Sequence, residues 1–329
     1  MEAGAISSPV LRARRNRIDR IGDPLLRGLS GLAAALAVAV VAGIGYEVVH
    51  IAWPAISKFG IGFLTTNDWN PVTERYGAAP FIYGTAVTSA IALLCAAPLS
   101  IAISIYLTEL APSRVRRPVA TLVDMLAAIP SVILGLWGIL VLGPFMHDTI
   151  EPALKSALGF LPIFSGDPSA FGYLTAALIL TIMATPIITS VTREVFETVP
   201  AELKEGAYAL GATRWEMVRQ VVLPYSRAGI VGATILGLGR AIGEAIAVAQ
   251  VIGGATGINV SLFHTGSTMA AQIAAQFQGA PGALQKPSLA YLGLILLAFA
   301  VVVNVVARLI VQRGTLGDTA VTPTEAEAL

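Results

Sequence analysis

The chain has 329 residues, of which 55% are hydrophobic and only 12% are charged, and its formal net charge is +1. Soluble domains carry about 25% charged residues, so this composition excludes an ordinary soluble globular domain. One cysteine excludes an intrachain disulfide, and the three histidines lack the spacing of metal ligands. The charges cluster between apolar runs of about 20 residues, the length of helix that crosses a bilayer, which predicts an all-α polytopic membrane protein.

Six apolar runs predict six transmembrane helices within a transmembrane domain of residues 28–311. A polar, basic tail of residues 1–27 precedes them, and a small, acidic tail of residues 312–329 follows and is predicted to be disordered. The first run is longer than the core of a signal peptide and has no convincing cleavage site after it, so it is predicted to be retained. The predicted spans are 28–50, 80–107, 118–145, 173–191, 228–253 and 289–311.

The distribution of Lys and Arg predicts the orientation of these spans. Of the 21 such residues, most lie in the N-terminal tail, in the loops 108–117 and 192–227, and after the last span. The alternate loops, which contain only Lys58, Arg75, Lys155 and Lys286, are therefore predicted to be external. Both termini are predicted to be cytoplasmic.

Three spans contain a proline, namely Pro98, Pro130 and Pro186, and each proline is predicted to permit a kink. In span three, Asp124 lies near the predicted cytoplasmic end and is interpreted as a snorkelling or packing residue. In the last external loop, residues 267–277 are predicted to form a short helix capped by Ser267.

The long cytoplasmic loop, residues 197–224, predicts a helix, a glycine turn and a second helix. Pro200 suits the start of the first helix and Gly211 its end, and Thr213 with Glu216 forms a capping box for the second. Pro224 is predicted to stop the second helix before span five. The first helix has an apolar face, formed by Val199, Leu203, Ala207 and Leu210. Such a loop is either a folded cover for the bundle or a docking element for a partner.

The same loop resembles the EAA loop of ABC-importer permeases. The family motif reads Glu-Ala-Ala, three residues, Gly, nine residues, Ile, any residue, Leu-Pro, and the spacing matches throughout, with Gly206 and Val221 as mild departures. The resemblance implies that the loop is a coupling helix that seats in a cleft of a separate ATPase subunit. The residues that carry it are Glu205, Gly206, Ala207, Gly211, Leu223 and Pro224. No G-x-x-x-x-G-K-[ST] motif occurs in the chain, so ATP and Mg²⁺ are expected on that partner, and no cofactor is expected on this chain.

Span five contains two charges within an apolar stretch, Arg240 and Glu244, which lie four residues apart and share one helix face. Arg240 is predicted to lie about 18 Å along the helix axis from Ala228, near the bilayer midplane. Intramembrane charges are usually functional, so a substrate-pathway role is one interpretation, and a structural ion pair is the other. Gly239 and Gly243 form a G-x-x-x-G step, which predicts a close helix contact on the same turns.

Three segments, residues 76–112, 127–145 and 237–254, strongly resemble the phosphate-specific importer permeases, in their C-type (PstC-like) form. This resemblance extends over most of residues 60–312 and implies the type I ABC-importer permease fold in a bacterial cytoplasmic membrane. It also implies a heterodimer with an A-type permease, two copies of an ATP-binding subunit, and an extracytoplasmic phosphate-binding protein. The bilayer is then a further partner, and nucleic acid is not one.

The function expected from these features is that of a non-catalytic permease subunit of an ATP-driven inorganic phosphate importer. No nucleophile–base arrangement or metal cluster in the sequence points to an enzyme. Import of another oxyanion, such as sulfate or molybdate, is an alternative. An ATP-independent channel or secondary transporter is a further alternative, against which the EAA spacing argues.

Overall fold

The computed structural model describes residues 9–280 and 283–316, and its architecture is helical apart from one small hairpin. The helices, numbered here in chain order, are α1 (Pro9–Phe59), α2 (Ala79–Leu110), α3 (Ser113–Ala127), α4 (Ser131–Leu158), α5 (Tyr173–Glu197), α6 (Ala201–Ala209), α7 (Arg214–Gly243), α8 (Ile246–Val251), α9 (Met269–Gln276) and α10 (Gln285–Leu316). Within the described residues, six helices are long and apolar enough to cross a membrane. The chain divides at Ile51 into two compact units, and α1 contributes to both.

Within the described residues, three π-helical turns interrupt α4 and α7 and a fourth ends α2, and each ends two residues before a proline. Their bounds are Tyr106–Leu110, Gly138–Leu142, Met146–Ile150 and Val218–Val222. A proline lacks an N–H group, and its ring clashes with the carbonyl one turn earlier in an α-helix. A π turn widens the backbone at that point, which allows α4 and α7 to continue through Pro144, Pro152 and Pro224. The prediction that Pro224 stops a helix before span five is therefore wrong.

The third span differs from the predicted 118–145. Pro130 adopts an extended conformation (ψ 135°) and separates α3 from α4, so that it ends a helix instead of kinking one. α3 has three arginines near its start and no buried residue, whereas α4 extends to Leu158, into the segment predicted to be an external loop. Asp124 on α3 forms an ion pair with Arg193 on α5, with 3.4 Å between Oδ2 and Nη2.

The core lies around α5, the most deeply buried of the six long helices. Its packing against α2 and α7 uses small residues at close approach: a Cβ on Gly237 would come within 2.5 Å of Cγ1 of the fully buried Ile188. Close approach of this kind is how helices associate without a hydrophobic driving force between them. The prolines Pro98 and Pro186 lie inside α2 and α5, as predicted.

One end of the bundle is covered by the segments predicted to be external loops. Strands β1 (Trp69–Asn70) and β2 (Arg75–Tyr76) pair antiparallel, and Trp69 faces Tyr76 in an aromatic cluster that also contains Phe63 and Phe81. The short helix predicted at 267–277 is present as α9, but Thr268 and not Ser267 caps it by accepting a hydrogen bond from the N–H of Ala271. The predicted disorder of the C-terminal tail concerns residues that, beyond Leu316, lie outside the described part of the chain.

Candidate functional site

Arg240 lies in the last turn of α7, and Glu244 is the first residue after that helix. Span five was predicted to continue as one helix to residue 253, but α7 ends at Gly243, and Glu244 adopts an extended conformation (φ −73°, ψ 119°). A short helix, α8, follows from Ile246 to Val251. The predicted contact nevertheless forms, because Nη2 of Arg240 lies 3.4 Å from Oε2 of Glu244. Interrupted helices of this kind are typical of binding sites in transporters.

The two members of this pair have different environments. The Glu244 side chain is only 6% exposed, and its Oε1 accepts a hydrogen bond of 3.3 Å from the N–H of Ala247 in the first turn of α8. The Arg240 side chain is 47% exposed. Charge-assisted hydrogen bonds between such groups are usually about 2.7–2.9 Å long, so the contact is a loose one. Glu244 is held by its burial and by the Ala247 N–H, whereas the Arg240 guanidinium retains free donors on its exposed side.

Arg240 lines a cleft of about 700 Å³ between α5, α7 and α10. Gly232 and Gly239 form part of its wall on α7, and Ile187 and Val301 contribute from the neighbouring helices. A Cβ at Gly239 or at Gly243 would meet none of the described residues within 4 Å. The G-x-x-x-G step therefore does not pack against a described helix of this chain, and the cleft and this glycine face are continuous.

Hydroxyl groups inside the bundle are engaged elsewhere. Thr85, Thr88 and Ser89 donate hydrogen bonds to carbonyl groups one turn earlier on α2, and Ser100 donates to the Thr185 carbonyl on α5. None of them lines the cleft beside Arg240. In this conformation, the groups of the cleft that can bind an anion are therefore the side chains of Arg240, Arg308 and Asn304.

The helix-turn-helix predicted for the long loop is confirmed. Beyond the end of α6, Gly211 has a positive φ of 84°. Its N–H donates to the Tyr208 carbonyl, and the N–H of Ala212 donates to the Ala207 carbonyl, which together are the two bonds of a Schellman motif. Thr213 then caps α7: its Oγ1 accepts from the Glu216 N–H, and the Glu216 carboxylate accepts from the Thr213 N–H.

The surface of this loop is exposed and partly apolar. Of the apolar face predicted from spacing, Val199 is buried and Ala207 is half-buried, but Leu203 is 47% and Leu210 is 91% exposed. Leu203, Leu210 and Gly206 line a groove of about 620 Å³. A folded loop that only covered the bundle would turn these leucines inward, so the exposed leucines favour the docking interpretation.

Contacts connect the loop firmly to the bundle. Lys204 on α6 forms a 2.6 Å ion pair with Glu109 at the end of α2, and both side chains are largely buried. Beneath the loop, Phe196 and Val222 belong to an apolar cluster that Leu223 also contacts. Glu205 is exposed and Pro224 half-buried. Sequence reasoning missed the Lys204–Glu109 pair, because the two residues lie 95 positions apart and no periodicity relates them.

Comparison with known proteins agrees with the six membrane-crossing helices described above. A family model described as binding-protein-dependent transport system inner membrane component matches residues 99–315. The chain is similar to the protein named Phosphate transport system permease protein PstC of Mesorhizobium japonicum, at 45% identity over 95% of this chain and 98% of that protein. It is also similar to the protein of the same name of Pasteurella multocida, at 46% identity over 92% and 96% of the two chains.

Among solved structures, the chain resembles a subunit in the crystal structure of a bacterial alginate ABC transporter in complex with an alginate pentasaccharide-bound periplasmic protein. The TM-score is 0.60 at 18% sequence identity, over 89% of this chain and 97% of that one. At this identity the likeness concerns the fold alone. The predicted ABC-importer permease fold with six membrane-crossing helices is thereby confirmed.

Proposed function

The chain belongs to the family of binding-protein-dependent transport system inner membrane components, and from this premise we propose that it is the C-type permease subunit of an ATP-driven inorganic phosphate importer. The names of its relatives support phosphate as the substrate. The observation that carries the proposal is the half-exposed Arg240, held at the end of an interrupted helix in an open cleft.

Phosphate carries between about one and two negative charges near neutral pH, and a buried path for it needs cations or hydrogen-bond donors. Arg240 supplies both, and its loose contact with Glu244 leaves donors for a second anion. Phosphate would displace the Glu244 carboxylate from Arg240 and be released when the carboxylate returns. Such a site is weak, as conduction requires.

The loop that contains α6 is the proposed ATPase-coupling element. Its exposed leucines and groove suit insertion into a partner, and the Lys204–Glu109 ion pair would transmit the resulting motion to α2. The coupling residues are Glu205, Gly206, Ala207, Gly211, Leu223 and Pro224. ATP and Mg²⁺ would sit on two copies of the ATP-binding subunit, and this chain would have no catalytic residue.

The open glycine face beside the cleft suits close packing of a second, A-type permease. In this arrangement the path lies between the two permeases, and an extracytoplasmic phosphate-binding protein delivers the substrate. We place the complex in the bacterial cytoplasmic membrane with the α6 end and both termini inside, as the Lys and Arg distribution favours.

The variant Arg240→Gln tests this proposal in cells that lack other phosphate importers. We expect loss of phosphate uptake, with normal co-purification of the other subunits, because glutamine keeps polarity but removes the charge. Arg114→Gln on the exposed α3 removes the same charge outside the cleft and should leave uptake unchanged. Normal uptake by the Arg240 variant would exclude the pathway role.

Competition separates phosphate from the other oxyanions. Unlabelled phosphate should reduce uptake of labelled phosphate by the wild-type importer, whereas equal concentrations of sulfate or molybdate should not. Equal competition by sulfate would contradict the assignment of the substrate but not that of the fold or family.

A further inference from the structure

The cleft beside Arg240 contains a second cation, which the path described above does not use. Arg308 on α10 lines the same cleft. The Arg308 guanidinium makes no ion pair or hydrogen bond with any side chain that the structure describes, and the residues that line the cleft include no acid. The cleft therefore has an excess of positive charge that Glu244 alone does not balance.

One helical turn before Arg308, Asn304 also lines the cleft. Its Oδ1 atom is occluded from solvent and has no hydrogen-bond partner among the described residues. Buried polar atoms are nearly always hydrogen-bonded in folded proteins, and an unpaired one costs free energy. An unpaired acceptor beside an unpaired cation indicates a place for a ligand that has both a negative charge and a hydrogen-bond donor.

The order of these residues along the cleft follows from the packing of the helices. Phe81 at the start of α2 packs in one cluster with Leu289 at the start of α10, and Ile105 at the end of α2 packs in another with Met217 at the start of α7. α7 and α10 are thus antiparallel, and Arg308, near the end of α10, lies toward the α6 end of the bundle.

Arg240 lies at the opposite end of the cleft from Arg308. Along α7, the cleft extends from Gly232 to Arg240, which at 1.5 Å per residue is about 12 Å. The Cα atoms of Arg240 and Arg308 are therefore separated by roughly two helical turns along the bundle, and that of Asn304 lies between them in height.

We propose that Asn304 and Arg308 form a second anion site, which receives phosphate from Arg240 on its way to the α6 end. Arg308 would bind the charged P–O⁻ oxygens, and the Asn304 Oδ1 would accept a hydrogen bond from a P–OH group. This inference rests on the proposed function, and it adds a second step within the same cleft.

The chemistry of this site distinguishes protonated from fully ionised oxyanions. Near neutral pH, inorganic phosphate is present with one or two negative charges, and each of these two forms retains at least one P–OH group. Sulfate has no proton to donate near neutral pH. It would therefore leave the Asn304 Oδ1 unpaired, and its oxygens would be repelled by the partial negative charge of that atom. The site therefore favours phosphate over sulfate by the same logic by which a buried polar group rejects a ligand that lacks its partner.

Direct protection of the cleft from chemical labelling tests the site. In the complete importer in nanodiscs without ATP, Cys95→Ala removes the native thiol of this chain, and Val305→Cys places a new one in the cleft next to Asn304 and less than one turn from Arg308. We expect phosphate to slow its reaction with a methanethiosulfonate reagent, and sulfate to protect much less. Arg308→Gln should raise the half-protecting phosphate concentration about tenfold or more, the factor for one charge-assisted hydrogen bond, and Arg308→Lys should raise it less.

Arg114→Gln is the control for the change in charge, and Asn304→Leu should reduce the preference for phosphate over sulfate. Uptake is measured in parallel: Arg308→Gln should slow phosphate uptake while subunit assembly is retained. Unchanged protection in Arg308→Gln, or lost protection with normal uptake, would overturn the second site. Normal uptake by Arg240→Gln would instead overturn the proposed path, so the two failures are distinguishable.

Discussion

The turn after α6 allows a prediction in which only the backbone conformation is changed. Gly211 has φ +84°, and a Cβ added there would meet nothing within 4 Å. Gly211→Ala therefore introduces no clash with a neighbouring side chain, and its cost is that of an L-residue in the left-handed region, about 1–2 kcal/mol. The same geometry costs asparagine less, because asparagine adopts this region several-fold more often than other residues.

The consequence for coupling follows from that free energy. If the Schellman turn orients α6 for docking, Gly211→Ala lowers the population of the docking-competent loop, and the apparent affinity for the ATPase subunit falls by up to about 5–30-fold. Gly211→Asn should retain most of the affinity. Titration of the ATPase subunit against the permease pair in nanodiscs, with ATP hydrolysis stimulated by the loaded binding protein as readout, measures this effect. Equal behaviour of wild type and both variants would refute the reasoning.

Two further predictions concern packing. Lys204→Met should weaken stimulated ATP hydrolysis, because it leaves the largely buried Glu109 carboxylate unpaired. The exchange of the two residues (Lys204→Glu with Glu109→Lys) should restore part of this hydrolysis. A double variant no more active than Lys204→Met would contradict the role of the Lys204–Glu109 ion pair. Gly237→Ala should lower the free energy of unfolding of the purified chain by about 1–3 kcal/mol through overpacking against Ile188. Gly239→Ala should leave this free energy nearly unchanged. Equal stability of the two glycine variants would contradict the packing.

Features governed by local rules could be predicted from the sequence. The turn at Gly211 and the capping box of Thr213 and Glu216 depend on neighbouring residues only, and both form as expected. The six membrane-crossing helices follow from the length of the apolar runs. The contact between Arg240 and Glu244 was also predictable, although the helix ends between them.

Features that depend on proline in context were not predictable in the same way. Pro130 ends a helix and Pro224 does not; a π turn precedes Pro224, but another precedes Pro112, where α2 ends, so a π turn alone does not decide the outcome. Whether a chain widens or breaks at a proline depends on the packing around it, which residue spacing does not contain. The alignment of Arg308 and Asn304 with Arg240 likewise arises only when α10 packs beside α7.

In the proposed path, phosphate and Glu244 compete for Arg240. Phosphate uptake by the complete importer, with the two residues varied singly and together, tests this competition most directly. Glu244→Gln keeps an oxygen for the Ala247 N–H but removes the competing charge. We expect this variant to take up phosphate with a lower half-saturating concentration and a lower maximal rate, and the double variant Arg240→Gln with Glu244→Gln to be as inactive as Arg240→Gln alone. Restored uptake in the double variant would contradict the claim, because it would show that Arg240 serves only to neutralise Glu244.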